Sequence, residues 1–181
     1  MARIILGVTG SAAAREAIPL AEKLTRNGYL VDVVLTEAAT HFVDADQLKA
    51  ATGRPVHTSL YENGAQGEGT HVALAREADM AVIAPATANT IAKIAAGFGD
   101  NLLTATIQAM GDMPVLVCPA MMPAVYRGQQ TQENRRTLEN LGYVFLGPVD
   151  AGSGKGALAS TDAIAEKITD MLNPELWGAY I

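Results

Sequence analysis

Cysteine, aromatic side chains and clustered positive charge are all scarce in this sequence of 181 residues. The single cysteine, Cys118, excludes an intrachain disulfide and favours a reducing compartment such as the cytoplasm. The 13 Lys and Arg residues are outnumbered by 19 Asp and Glu residues and form no basic cluster. This balance argues against nucleic acid or an anionic membrane surface as a partner.

Long apolar runs are absent as well. No stretch approaches the roughly 18 apolar residues that a membrane helix needs. The chain enters an apolar strand directly after Arg3, without the features of a signal peptide. We therefore expect a soluble, cytoplasmic protein, and we expect no metal site. Apolar residues are nonetheless abundant, and their small, branched types are typical of a parallel sheet covered by helices.

Strand patterns alternate with helix patterns along the whole chain. Strands are predicted at 3–9, 29–35, 80–84, 114–118 and 143–146. Helices are predicted at 12–27, 46–52, 90–96, 101–110 and 132–141, with Thr161 capping a last helix that ends near Leu172. The order predicts an α/β doubly wound parallel sheet, a flavodoxin-like or Rossmann-like three-layer sandwich. We expect one domain over 1–181, with a core at 1–172, a tail at 173–181 and a Gly-rich flap before His71.

Ligands of such sheets bind beyond the carboxyl ends of the strands. Gly10 and Ser11 follow the first strand, where they form either a phosphate cradle or a tight turn that needs small residues. The segment matches neither the GxGxxG nor the Walker A pattern. Thr36 follows the second strand and is able to cap a helix or to touch the same ligand. Because Leu35 and Thr36, rather than an acidic residue, end that strand, a mononucleotide is favoured over NAD.

The third strand leads into the sequence Pro-Ala-Thr-Ala-Asn, which predicts a turn at Pro85. In this turn Pro85 and Ala86 come first, and Thr87 and Asn89 offer side-chain and backbone donors to a ligand. His71 opens the helix before that strand. Histidine titrates near neutral pH, which suits a general base, although a histidine at a helix start often has no role. His41 and His57 lack such a context, and we assign them structural or surface roles.

Several motifs, in this order and at these spacings, resemble the flavin-containing cysteine decarboxylases. They are TGSAAA (9–14), LTEAATHF (35–42), the helix of His71, APATANTIAKIAAGFGDNLL (84–103), PAMM (119–122) and a late Gly-rich loop. Within that family the sequence is most similar to the stand-alone bacterial phosphopantothenoylcysteine decarboxylases. The similarity extends to about Lys167, and APATANTIAK followed by GDNLL is its most specific part.

The resemblance implies an FMN-binding enzyme of coenzyme A biosynthesis. In that family the flavin oxidises the cysteine side chain of the substrate to a thioaldehyde, which then loses CO2. The resemblance assigns the FMN phosphate to Gly10 and Ser11, a further hydroxyl contact to Thr36, and the flavin ring to the segment of Pro85, Ala86, Thr87 and Asn89. It makes His71 the active-site histidine. It also implies a homotrimer, or a homododecamer built from trimers, with the flavin at a subunit interface.

Two departures from the family pattern concern the substrate. The family's Pro-Ala-Met-Asn reads Pro-Ala-Met-Met here, so Met122 replaces the asparagine that binds the substrate carboxylate, and a thioether cannot donate a hydrogen bond. The loop at 150–158 also lacks the family's cysteine, which helps to reduce the ene-thiol intermediate. We expect Met121, Met122, Tyr126 and Lys155 on the substrate side, with Tyr126 or Arg127 as a replacement donor and Cys118 in the core.

Three functions remain open at this point. The first is a phosphopantothenoylcysteine decarboxylase. The second is an oxidative decarboxylase of a peptide's C-terminal cysteine, which stops at the ene-thiol. The missing loop cysteine favours this function. The third is a flavin-binding protein without decarboxylase activity, which Met122 favours and His71 disfavours.

Overall fold

The computed structural model describes residues 1–61, 69–150, 156–173 and 175. The strands in this part of the chain are β1 (Arg3–Val8), β2 (Leu30–Leu35), β3 (Val56–His57), β4 (Met80–Ala86), β5 (Val115–Pro119), β6 (Val144–Phe145), β7 (Val149–Asp150) and β8 (Gly156–Ala157). The α-helices are α1 (Ala17–Arg26), α2 (Ala45–Thr52), α3 (Thr70–Glu77), α4 (Ala88–Ala95), α5 (Leu102–Ala109), α6 (Pro123–Tyr126), α7 (Gln129–Asn140) and α8 (Thr161–Leu172). Two 3-10 helices cover Ala12–Glu16 and Glu37–His41. None of the helices in the described residues has the length and apolar character needed to cross a bilayer.

The described residues form a six-stranded sheet in the order β3-β2-β1-β4-β5-β6, in which every pair is parallel. The strands β7 and β8 form a separate antiparallel ribbon. Apart from the short edge strand β3, each strand pairs as the sequence order of a flavodoxin-like sheet predicts. The predicted fold class is therefore confirmed.

Two apolar clusters cover the two faces of the sheet. Alternate residues of β1 point to opposite faces, so Ile4 and Leu6 join one cluster while Ile5 joins the other. The first cluster contains residues of α1 and α8, such as Leu24 and Ile168. The second contains residues of α3, α4, α5 and α7. This arrangement is the predicted three-layer sandwich.

The first helix differs from its prediction because of a proline. The predicted helix at 12–27 is divided into a 3-10 helix and α1, which begins at Ala17. Pro19 has no backbone N–H to donate to the carbonyl of Arg15, so a regular α-helix cannot run through this point from Ala12. Gly28, which follows the helix, has a positive φ of 90°, as a helix C-terminus favours.

Other element bounds also needed correction. The strands β3, β7 and β8 and the helix α6 were not predicted, and α7 begins three residues before its predicted start, at Gln129. The cap of α8 is Ser160 rather than Thr161, because the Ser160 hydroxyl accepts a hydrogen bond from the amide of Ala163 at 3.2 Å. The predicted flap and tail fall partly on residues 62–68, 174 and 176–181, which lie outside the described residues.

A buried carboxylate ties the sheet to its connections. Asp32 in β2 is 2% exposed and accepts hydrogen bonds from Arg3 Nε at 2.6 Å and Arg54 Nε at 2.8 Å. Arg3 also pairs with Glu77, and its amide donates to Asp79 at 2.7 Å. The cluster joins β1, β2, the segment before β3 and the connection from α3 to β4.

Candidate functional site

The carboxyl ends of β1, β2 and β4 meet beside a cavity of about 400 Å³. The strand β1 lies between β2 and β4, whose connections leave in opposite directions, so this is the topological switch point where open α/β sheets bind ligands. Cavities of this size accept a small ligand or cofactor. The described residues that line it are Gly10, Thr36, Glu37, Ala38, Thr87, Asn89, Thr90, Lys93, Asp100 and Asn101.

Four of the seven predicted cofactor residues line this cavity: Gly10, Thr36, Thr87 and Asn89. They come from three separate connections, which the sheet topology brings to one place. Ser11 does not line the cavity but follows Gly10 directly. Pro85 and Ala86 are buried and lie behind it.

Among the helices that begin at this edge of the sheet, the two 3-10 helices and α4 are each capped by a hydroxyl. Ser11, Thr36 and Thr87 accept hydrogen bonds at 3.3 Å from the amides of Ala13, Ala39 and Thr90 respectively. The capping role considered for Thr36 is thus present in the structure, and its contact with a ligand stays a prediction. The first amides of a helix have no partner within the helix and carry its positive dipole end, which suits an anionic group such as a phosphate.

Gly10 allows the segment after β1 and the segment after β2 to approach each other closely. A Cβ atom at Gly10 would lie 2.4 Å from the Cβ of Ala38, far inside van der Waals contact. Any larger residue would therefore push the segment of Thr36 away from the first helix start. Two interpretations were open for this turn, a tight turn that needs small residues and a phosphate cradle. They are compatible, because the close packing that needs Gly10 also places two helix starts beside one cavity.

The segment of Pro85 and Ala86 is a strand end rather than the predicted turn. The strand β4 continues to Ala86, which pairs with Pro119, and α4 begins immediately after its cap Thr87. The Ala84–Pro85 peptide bond is cis. The carbonyl of Ala86 accepts from the amide of Ala120 at 3.2 Å. Pro85 and Ala86 thus contribute backbone groups to the packing behind the cavity, and only Thr87 and Asn89 reach its lining.

Thr9 connects this strand end to the first one. Its hydroxyl donates to the Pro85 carbonyl at 2.7 Å and accepts from the Thr87 amide at 3.0 Å. The amide of Thr9 donates to the same carbonyl at 3.3 Å. The sequence carries no local signal for this role of Thr9, because its partners lie 76 and 78 positions away along the chain.

His71 lies on a different cavity, of about 590 Å³, and none of the described residues lines both cavities. Its described lining includes Tyr61, Gly69, Gly99 and Gln108. The ring packs against Gly69, where a Cβ atom would lie 2.9 Å from Nδ1 of His71. Among the described residues this Nδ1 is the one buried side-chain nitrogen or oxygen atom without a hydrogen-bond partner. The structure therefore does not bring His71 together with the predicted cofactor residues within one chain.

Met121 and Met122, two of the predicted substrate residues, follow the strand end of β5. The carbonyl of Ala120 accepts from the Ser11 hydroxyl at 3.3 Å, which joins this segment to the first connection. Met121 is half-buried and Met122 is 63% exposed. A Cβ at Gly156 would lie 2.0 Å from the Met121 carbonyl oxygen, so only a glycine lets β8 pack there.

Tyr126 is already engaged within the protein. Its hydroxyl donates to the Gly147 carbonyl at 3.3 Å and accepts from Arg135 Nη1 at 2.5 Å. Since a hydroxyl has one proton to donate, Tyr126 would have to leave Gly147 to serve as the replacement donor. Lys155 lies outside the described residues.

Three charged residues of the cavity, Glu37, Lys93 and Asp100, were not predicted as site residues. Lys93 and Asp100 line it and form an ion pair. The hydrogen bond from Lys93 lowers the pKa of the Asp100 carboxyl. Lys93 lies four residues after Asn89, on the same side of α4, and this spacing was the available signal.

Cys118 is fully buried in the first apolar cluster, as predicted. Burial raises the pKa of its thiol. It therefore remains a neutral thiol within the core.

The fold and the cavity at its switch point define an α/β protein of the kind that binds a nucleotide-like ligand beyond its strand ends. The flavoprotein family model matches residues 1–173. The chain belongs to the flavoprotein family.

Individual relatives agree with this assignment. The chain is 36% identical over 176 residues to a probable phosphopantothenoylcysteine decarboxylase of Streptococcus mutans, covering 94% of this chain and 98% of the relative. It is 41% identical over 160 residues to the coenzyme A biosynthesis bifunctional protein CoaBC of Vibrio cholerae, covering 84% of this chain. The chain spans only 40% of the length of that bifunctional relative.

Solved structures show the same fold. A PPC decarboxylase mutant complexed with pantothenoylaminoethenethiol superimposes with a TM-score of 0.80 at 32% identity, covering 93% of this chain and 96% of the other. The FMN-dependent cysteine decarboxylase SpaF superimposes with a TM-score of 0.83 at 30% identity, with the same coverage of both chains.

Proposed function

We propose that this protein is an FMN-dependent decarboxylase of a C-terminal cysteine moiety, with 4'-phosphopantothenoylcysteine of coenzyme A biosynthesis as its substrate. The observation that carries the proposal is the switch-point cavity lined by Gly10, Thr36, Thr87 and Asn89. The similarity to the Streptococcus mutans protein over nearly the full length of both chains supports the substrate. Such an enzyme would act in the cytoplasm.

The residues of the cavity fit FMN. The close approach of Gly10 to Ala38 places two helix starts side by side, and their amides would hold the phosphate. Thr87 and Asn89, at the start of α4, would bind the ring. When bound, FMN supplies the oxidation that makes the cysteine moiety able to lose CO2.

His71 would act as the general base. A thiol must lose its proton before it is oxidised, and a neutral imidazole accepts a proton near neutral pH. The buried Nδ1 of His71 has no partner among the described residues. A buried polar atom without a partner is costly, which supports a functional role for this ring.

We propose further that the site is completed between copies of this chain, as in a trimer. The cavity of His71 and the cavity of the cofactor residues have no lining residue in common in the described part of the chain, so one copy would supply the histidine and another the flavin site. Exposed apolar side chains lie near His71. There Tyr61 is 79% exposed, Val72 40% and Phe98 54%, which favours cover by a second chain.

A second function is favoured by one observation. The only cysteine of the sequence is the buried Cys118, so no thiol is available to donate the proton that reduction of the ene-thiol product requires. An oxidative decarboxylase that releases an ene-thiol from a peptide needs no such thiol. The third possibility, flavin binding without decarboxylation, is an outcome of the same experiment.

The test follows the flavin absorbance under anaerobic conditions. Purified protein is loaded with FMN and mixed with 4'-phosphopantothenoylcysteine, and CO2 is measured in parallel. Transient bleaching with CO2 release and an aminoethanethiol product supports the coenzyme A role. Lasting bleaching with CO2 release indicates oxidative decarboxylation.

The control ligand is the decarboxylated product, which has no carboxylate to lose and should release no CO2. If neither the pantothenoyl substrate nor a peptide with a C-terminal cysteine bleaches the flavin, the decarboxylase proposal is wrong. A protein that does not bind FMN at all would contradict the cofactor assignment itself.

A further inference from the structure

Thr9 is a buried residue whose polar groups are all bonded to the walls of the candidate site. It follows β1 directly and is 1% exposed. Its carbonyl accepts from the Ser11 amide at 2.8 Å. Its amide and hydroxyl both bond to the Pro85 carbonyl, and the hydroxyl also accepts from the Thr87 amide.

The hydroxyl of Thr9 acts both as a hydrogen-bond donor and as a hydrogen-bond acceptor. The donor bond fixes the end of β4, and the acceptor bond fixes the residue that caps α4. A valine in the same place would keep the volume but lose both bonds. It would leave the Pro85 carbonyl and the Thr87 amide with one partner fewer in a dry environment.

We propose that Thr9 is a positioning residue that holds two walls of the flavin site in register, the phosphate wall of Gly10 and Ser11 and the ring wall of Thr87 and Asn89. This inference rests on the proposed function. A ligand that spans both walls can bind them together only if their separation is fixed. Thr9 is the described side chain that links them by hydrogen bonds.

The positioning role differs measurably from a merely structural one. If Thr9 only stabilised the fold, its loss would weaken every flavin by the same factor. If Thr9 sets the spacing of the two walls, its loss would weaken FMN more than riboflavin, because riboflavin lacks the phosphate and needs only the ring wall. The ratio of the two dissociation constants is therefore the decisive quantity.

The experiment compares Thr9→Ser, Thr9→Cys and Thr9→Val with a matched control, Thr106→Val. Thr106 is also fully buried, and its hydroxyl donates to the Leu102 carbonyl at 2.7 Å within α5, away from the cavity lining. The dissociation constants of FMN and riboflavin are measured by flavin fluorescence. The visible circular dichroism of the bound flavin is recorded at saturation.

We expect Thr9→Ser to bind FMN within about twofold of the unmodified protein, since it keeps the hydroxyl. Thr9→Val should bind FMN about tenfold more weakly, as expected for buried polar groups that lose a partner. It should also show a reduced preference for FMN over riboflavin and an altered dichroism of the bound flavin. Thr9→Cys should lie between them, because a thiol is a weak donor and acceptor. Thr106→Val should match the unmodified protein.

An unchanged FMN-to-riboflavin ratio in Thr9→Val would overturn the proposal while leaving the proposed function intact. If Thr9→Val does not fold, the same ratio in Thr9→Cys decides. An equal change of the ratio in Thr106→Val would also contradict it, since the effect would not be specific to the bridge. Failure of the unmodified protein to bind FMN would remove both the proposed function and this inference.

Discussion

His71 lines a cavity that the predicted cofactor residues do not line, and its buried ring nitrogen Nδ1 has no described hydrogen-bond partner. If this nitrogen belongs to the reaction, replacing the ring should leave cofactor binding intact. We expect His71→Asn to keep its affinity for FMN and to lose about a hundredfold or more of its turnover, the usual contribution of a general base. Turnover is measured as CO2 release, and FMN affinity by fluorescence.

The control for this substitution is His41→Asn. His41 is exposed in a 3-10 helix and does not line the cofactor cavity, so its replacement should leave turnover unchanged. Turnover by His71→Asn at the normal rate would remove the imidazole from the mechanism. Loss of FMN by His71→Asn would instead place the ring in the cofactor site.

Single residues also show where sequence patterns are insufficient. Gly10, Thr36, Thr87 and Asn89 were predictable because parallel strands deliver their carboxyl ends to one edge of the sheet. Thr9 was not, because its role consists of hydrogen bonds to residues far along the chain. Met122 was identified only as a departure from a motif. Its side chain is 63% exposed, so its packing does not indicate a function.

Among the structural elements, β2 depends on a buried charge. We expect Asp32→Asn to lower the free energy of unfolding by about 3 kcal/mol, the cost of removing one partner from a buried ion pair. Arg3 and Arg54 would then both face an uncharged amide. Urea denaturation followed by far-UV circular dichroism measures the change.

The matched control is Asp162→Asn, which removes an ion pair with Lys23 on the surface. Because Asp162 is exposed, water replaces its partner and the midpoint of unfolding should not move. A similar midpoint for both variants would show that burial adds nothing to the pairing of Asp32.

The observed bounds of strands and helices agree with the predicted bounds where a single local sequence pattern determines the structure. The long strands β1, β2, β4 and β5 were predicted within two residues at each end, since apolar β-branched runs at this spacing are typical of a parallel sheet. Local rules were insufficient for β3, whose two residues were not predicted, whereas the strand predicted at 143–146 is present as β6 and is one residue shorter at each end. The start of α1 at Ala17 was predictable in principle from Pro19 and its missing amide.

At the scale of the whole molecule, mixed subunits can test whether the cavity of His71 and the cofactor cavity of a neighbouring chain form one site. His71→Asn keeps an intact cofactor cavity, and Gly10→Ala keeps an intact His71 but should lose FMN because its Cβ would collide with Ala38. Each variant alone should be inactive. In co-expressed mixtures, random trimers would contain about a quarter of sites with both functional parts, if each site uses two chains.

We therefore expect co-expressed His71→Asn and Gly10→Ala chains to recover a substantial fraction of normal CO2 release. Light scattering on the same sample gives the size of the assembly. Mixtures that stay inactive although they form hybrid oligomers would show that each site belongs to one chain.

The sheet also limits the ways in which copies can associate. In the described part of the chain its two borders are β3 and β6, each with two residues. Such short borders present few unpaired amides and carbonyls to another strand. Assembly by extending the sheet from one molecule into the next is thereby disfavoured, and neighbouring molecules must meet through side chains on helices and connecting segments. The short borders thus also reduce the risk that molecules grow into fibrils through strand pairing.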